Sequence, residues 1–141
     1  MEYLWIALGS AIGGVTRYWL SGIVADRLGT VFPWNTLAVN ITGSFFIGTV
    51  AAVAGAEGRV HPNLRPFVVQ FLMMGICGGY TTFSSFSLQT LNLVQEGQWF
   101  YAGANIALCL VAVWLGYLVG QLINQWRCLH EIQRCVAWRE K

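Results

Sequence analysis

The sequence predicts an all-α membrane protein of four transmembrane helices, with a break in the third. Three observations carry that expectation. First, the 141 residues are 56% hydrophobic and only 10% charged, whereas soluble domains carry about 25% charged residues. Second, a bilayer core about 30 Å thick takes about 20 apolar residues per helix, and four such segments can be placed, roughly 4–25, 36–56, 67–94 and 99–126. They leave a polar or amphipathic tail, 127–141, and no room for a folded extramembrane domain. Third, the stretch Gly75 to Ser87, GICGGYTTFSSFS, sits where a plain spanning helix is expected but is crowded with glycine and hydroxyls.

The first span runs from about Leu4 to Val24. It is too long for the apolar core of a secretory signal and lacks a charged start, so it reads as a true span. Gly9 and Gly13 stand four apart, a spacing that lets helix backbones approach closely. Arg17 is the only charged side chain within the four spans. Either it snorkels to the interface, or it faces the protein interior or a polar cavity.

The second span begins near Trp34–Thr36, with Trp34 suited to the interfacial aromatic belt. Asn40 lies inside it, in NTLAVNITGSF. A buried amide in lipid needs partners. Asn40 either bonds a neighbouring helix or offers its NH2 group to an anion, and composition alone favours the first. Ser44 and Gly48 extend a small-residue face.

Pro66 suits the first turn of the third helix, where its missing N–H costs nothing. The uncharged run Phe67–Gln95 is longer than one straight crossing needs. Each glycine weakens a helix by about 1 kcal/mol relative to alanine, so the adjacent pair Gly78-Gly79 predicts the break. A break frees backbone carbonyls and amides, tolerated at membrane depth only inside protein or along a wet cavity. Broken helices of this kind build ion or substrate sites. Beyond the break, Phe83 and Phe86 share a helix face, and Ser84 and Ser87 lie one step round. The phenylalanines could equally be packing residues, and the serines could bond back to their own helix.

The fourth span, Trp99 to Trp126, has tryptophan at both ends. Tyr101, Asn105 and Cys109 fall on one face at intervals of four. Gly116 and Gly120 form a second close-approach pair. The tail mixes Arg127, Arg134, Arg139 and Lys141 with apolar residues and either forms an amphipathic helix on anionic lipid or frays. Cys128, His130 and Cys135 lie there without matching a strong zinc pattern. Cys77 and Cys109 read as small packing residues.

No Asp or Glu falls within the four segments; Glu2, Asp26, Glu57, Glu96, Glu131 and Glu140 all map to ends, loops or the tail. Proton- and cation-coupled carriers commonly use intramembrane carboxylates. Their absence argues against a proton antiporter and against a small multidrug exporter. What remains inside is Arg17 with neutral donors: Asn40, Thr81, Thr82, Ser84, Ser85, Ser87 and Asn105. Aromatic ring edges are also weakly positive. That inventory suits an anion pathway. No catalytic triad, metal-ligand set or nucleotide motif points to an enzyme, and nothing points to nucleic acid. A non-transporting scaffold is the other alternative, and it would tolerate apolar replacement of Phe83 and Asn40.

Four motifs in register then resemble the Fluc (CrcB) family of fluoride channels: GGVTRYWL ending its pattern at Arg17, NTLAVNITGSF with Asn40, GGYTTFSSFS, and YAGAN with Tyr101. The resemblance covers about residues 4 to 125. It implies an antiparallel, dual-topology dimer of four-helix subunits in the bacterial plasma (inner) membrane. It implies passive export of fluoride that relieves its toxicity. Asn40, Phe83, Phe86 and Tyr101 would line the pore, with Ser84 and Ser87 as further hydroxyl donors and Arg17 attracting the anion at the vestibule. Gly78 and Thr81 would offer backbone carbonyls to a structural Na+ at the dimer interface. Cys109 is a poorer hydrogen-bond donor than the serine often found in the family.

Loop charge is lopsided. Arg59, Arg65, Arg127, Arg134, Arg139 and Lys141 share one side, against Arg27 on the other. Such a bias sets one orientation, whereas an antiparallel homodimer needs both. Pairing with an oppositely oriented homologue therefore stays open beside the homodimer.

Overall fold

A computed structural model describes residues 2–29, 32–55 and 64–139, the side chains of 131, 132 and 134–139 excepted. Arg59, Glu57, Glu140, Lys141 and the side chains of Glu131, Arg134, Cys135 and Arg139 therefore lie outside the described residues. Every described element is helical. α1 is Glu2–Leu28 and α2 is Trp34–Gly55. α3 comprises a π-helical stretch, Phe67–Cys77, that passes into a single α-helical turn, Gly78–Tyr80. α4 is Phe83–Gln95 and α5 is Trp99–Arg139.

The helices pair by their small residues. α1 lies along α3, and α2 lies along α5. A Cβ on Gly9 would stand 2.5 Å from the Phe71 carbonyl oxygen and 2.8 Å from the Cα of Gly75. On the other pair, a Cβ on Gly116 would collide with the Phe45 carbonyl, and one on Gly48 with the Val113 carbonyl. Both glycine pairs expected from the sequence are thus used inside one subunit. With no hydrophobic force to separate helix from lipid, such backbone proximity is what binds them. Trp5 adds edge-on contacts to Phe67 and Phe71, at centroid distances of 5.5 and 5.8 Å.

Three stretches are long and apolar enough to cross a membrane: Trp34–Gly55, Phe67–Gln95 and Trp99–His130. α1 matches them in length, with 27 residues. Its apolarity is diluted by Arg17, by charged ends and by four glycines. Apolar side chains are widely exposed around the bundle, among them Leu8, Ile12, Val15, Leu110 and Trp114. A patch of that extent on a water-facing monomer would be aberrant; around a bundle of spans it is the surface that meets lipid or another subunit.

The break in the third span is present, but it lies later than the glycines predicted. Gly78 and Gly79 remain helical. The extended residues are Thr81 (ψ 156°) and Thr82 (φ −140°). Helix propensity loses here to packing: Gly79 sits against Ser10 of α1, where a Cβ would lie 2.6 Å from the Ser10 carbonyl oxygen. The glycines serve close approach, and the threonines make the break.

α4 ends in a turn that needs glycine. Gly97 has φ 77°. Its N–H reaches the Val94 carbonyl at 3.0 Å, and the Gln98 N–H reaches Leu93 at 2.8 Å, the paired bonds of a Schellman motif. The tail from residue 127 does not form a separate helix. It continues α5 without interruption, since no glycine or proline occurs between Gly120 and Arg139.

Candidate functional site

The break between α3 and α4 is held by one side chain. Asn40 on α2, only 6% exposed, accepts the Thr82 N–H on Oδ1 at 3.0 Å and donates Nδ2–H to the Thr82 carbonyl at 3.3 Å. One amide satisfies both polar groups of a peptide that has left the helix. Because the Thr82 N–H can only donate, the orientation of the Asn40 amide is fixed. One Nδ2 hydrogen remains for another acceptor.

α4 restarts at once. Thr82 acts as its N-cap, its Oγ1 accepting the Ser85 N–H at 3.3 Å. Thr81 ties back to α3, with its N–H and its hydroxyl both donating to the Cys77 carbonyl at 2.9 Å. Tyr80 bonds α2 through its hydroxyl, 2.7 Å from Thr42 Oγ1.

Beside this junction lies a cleft of about 420 Å³. Asn40, Ser44 and Ile47 of α2 form one wall, Thr81, Thr82, Phe83 and Phe86 a second, and Ile106, Cys109 and Leu110 of α5 a third. The two phenyl rings are 6.2 Å apart at an interplanar angle of 35°. Phe83 is 82% exposed, so its ring is presented outward from the subunit rather than packed in its core. No ionisable carboxylate, lysine or arginine lines the cleft. Amide hydrogens, hydroxyls and ring edges are the groups available there, and they suit a small anion.

The structure gathers Asn40, Phe83, Phe86 and Thr81 at one place. Other candidates lie elsewhere. Ser84 is exposed, with its hydroxyl 3.3 Å from Thr82 Oγ1, and neither it nor Ser87 is among the cleft walls. Tyr101 lies near the start of α5, its ring tilted against Phe32 at 5.5 Å and edge-on to Phe100 at 5.9 Å. Arg17 is half-buried on α1, outside the cleft. Cys128 and His130 are exposed; among the described residues no three His, Cys, Asp or Glu side chains gather as a metal site.

Gly78 and Thr81 can be tested as a carbonyl pair for a cation. In an unbroken helix the Gly78 carbonyl would accept the Thr82 N–H, but Asn40 takes that donor. The Thr81 carbonyl would likewise accept the Ser85 N–H, which goes instead to the Thr82 hydroxyl. Both oxygens lose their helical partners, and carbonyl oxygen is a hard donor suited to a hard cation. The residues present fit that role.

The sequence did not single out several groups around the site. Thr36 accepts from Gln89 Nε2 at 2.9 Å, and Thr90 accepts from Asn105 Nδ2 at 2.8 Å. Gln89 and Thr90 stand three and four residues after Phe86, on its face of the helix, and that spacing was the available signal. Asn124 Nδ2 donates to the Ala52 carbonyl at 2.9 Å and pins the far end of α2 to α5.

The family model described as CrcB-like protein, Camphor Resistance (CrcB), matches residues 4–117. Among similar proteins, the fluoride-specific ion channel FluC of Methylocella silvestris is 54% identical, across 89% of this chain and 97% of its own. FluC of Rhodospirillum rubrum is 53% identical, across 89% and 98%. FluC of Paramagnetospirillum magneticum is 50% identical, across 89% and 99%. Given a family match over most of the chain and relatives aligned over nearly their whole length, this chain belongs to the CrcB-like family.

Proposed function

We propose that the protein is a fluoride-specific channel, passively exporting fluoride from the cytoplasm across the bacterial inner membrane. The observation that carries this reading is the cleft at the helix break, where Asn40, Phe83 and Phe86 meet without any carboxylate. The names of the relatives support the choice of ion.

A route along α2 fits the cavities. A polar recess of about 270 Å³ at one end is lined by Asn35, Gln89, Asn92 and Glu96. The central cleft follows at Asn40 to Ile47. A further recess, lined by Ala52, Gln121, Asn124 and Gln125, lies at the opposite end. Amide groups at both ends can exchange with water, and the middle is narrower in chemistry. Fluoride attracted by Arg17 sheds part of its hydration and is rewrapped by the spare Asn40 hydrogen, hydroxyls and phenyl edges. Binding has to favour entry and still permit exit. Ser84, Ser87 and Tyr101 are assigned to the rest of the route by their places in the motifs.

The exposed face of Phe83 supports a subunit that is half of a dimer, with four spans per subunit and α1 as the first. The reading places a second chain antiparallel to the first, as a homodimer or an oppositely oriented homologue. Na+ between the subunits would be held by the Gly78 and Thr81 carbonyls and would supply only a structural charge. No catalytic step is involved.

The test is efflux from liposomes loaded with fluoride or chloride and followed with ion electrodes. Wild type should release fluoride fast and chloride slowly. Phe83→Ile and Asn40→Asp, each checked for intact assembly, should abolish most fluoride release. Chloride release as fast as fluoride, or full activity in Phe83→Ile, would overturn the assignment.

A further inference from the structure

We propose that Asn105 is a positioning residue for the phenylalanine pair, acting through Thr90 rather than on the ion; the inference rests on the channel reading. Asn105 is 2% exposed, and it is absent from the cleft walls formed by its neighbours Ile106 and Cys109. Its Nδ2 donates to Thr90 Oγ1 at 2.8 Å, and Thr90 Oγ1 donates to the Phe86 carbonyl at 2.8 Å. The direction of this relay is forced. A threonine hydroxyl has one hydrogen, which goes to the Phe86 carbonyl, so Asn105 has to be the donor. The amide nitrogen thus commits a hydrogen to α4, and its burial outside the cleft walls keeps it off the ion's path.

The effect is to bracket the rings. Asn40 holds the peptide of Thr82, immediately before Phe83. Asn105 holds the turn from Phe86 to Thr90, and Gln89 ties the same turn to Thr36 of α2. α4 otherwise makes few contacts with its neighbours, so these amide bonds fix its rotation and depth. The added Asn105 donor strengthens the back-bond from Thr90 to the Phe86 carbonyl.

Fluoride and chloride efflux and thermal unfolding in detergent would be measured for wild type, Asn105→Ala, Thr90→Val, the double variant and Thr90→Ser. Either disrupting single change should slow fluoride efflux about threefold or more, the factor of one interhelical hydrogen bond in a membrane. Each should also lower the fluoride-to-chloride ratio. The double variant should be no slower than the worse single, and Thr90→Ser should keep the wild-type rate. Wild-type transport in Thr90→Val overturns the proposal, as does a double variant whose losses multiply, because that makes Asn105 an independent ligand of the ion. A wild type that passes no fluoride refutes the channel reading instead. The clamp is then judged by unfolding: coupled losses of midpoint uphold it, and additive losses overturn it.

Discussion

Asn40 shows why a buried amide in a membrane need not be either glue or ligand. Its two bonds to the Thr82 peptide are structural, and its second Nδ2 hydrogen is left at the cleft. The two roles separate by substitution. Asn40→Ala strips both partners from Thr82 and leaves a buried peptide group unpaired, which costs about 1–3 kcal/mol; unfolding in detergent should show that loss. Asn40→Asp keeps an acceptor for the Thr82 N–H but removes every amide donor and adds negative charge. Thr82 then keeps one of its two bonds, and protein that remains assembled should still fail to pass an anion. Equal stability of Asn40→Ala and wild type would remove the clamp. At this scale the sequence was legible where residue type is scarce: an asparagine or threonine inside a span stands out. Ser84, Ser87 and Tyr101 lie outside the walls of the central cleft, and which way such side chains face depends on helix rotation. A later turn such as Gln89–Thr90 becomes meaningful only once Thr36 and Asn105 are seen opposite it.

At the scale of elements, glycine proved to be about proximity more than flexibility. The sequence located a break in the third span, yet Gly78-Gly79 stayed helical and the chain opened at Thr81–Thr82. Propensity ranks residues by what they cost in an isolated helix; it carries no information about Ser10 lying against Gly79. The same contrast makes a prediction. Gly116→Ala places a methyl against the Phe45 carbonyl, and overpacking of this kind costs about 1–3 kcal/mol. Gly22 has nothing within 4 Å of the added Cβ, so Gly22→Ala should leave stability unchanged or raise it by about 0.5–1 kcal/mol. Comparing the two by thermal unfolding checks whether the glycine pairs bind helices within the subunit. Equal tolerance of both changes would contradict the packing described here. Tryptophan marks the start of two helices, α2 at Trp34 and α5 at Trp99, and glycine closes others, as at Gly29 and Gly97. α5 instead runs on through residue 139 because nothing in the tail interrupts it.

For the whole molecule, membership of the CrcB-like family meets the physics of assembly. Apolar surface and an exposed Phe83 are what the proposed dimer would cover. The loop charge bias, six basic residues against Arg27, favours a single orientation; an antiparallel pair made by this chain alone requires that bias to be overcome. If the freed carbonyls of Gly78 and Thr81 hold Na+, replacing Na+ with N-methylglucamine should slow fluoride efflux and loosen the dimer, and readding Na+ should restore both. Unchanged efflux without Na+ would exclude a required ion there. The charge inventory of the sequence argues for an anion, whereas the three cavities along α2 that form the proposed route arise only when the helices are packed. The most direct measurement is the reversal potential of the purified chain in a planar bilayer with opposed gradients of fluoride and chloride, both ions being present on each side. A potential close to that of fluoride equilibrium is expected. A potential that follows chloride, or a folded and inserted protein that passes no current, would contradict a fluoride-selective pathway.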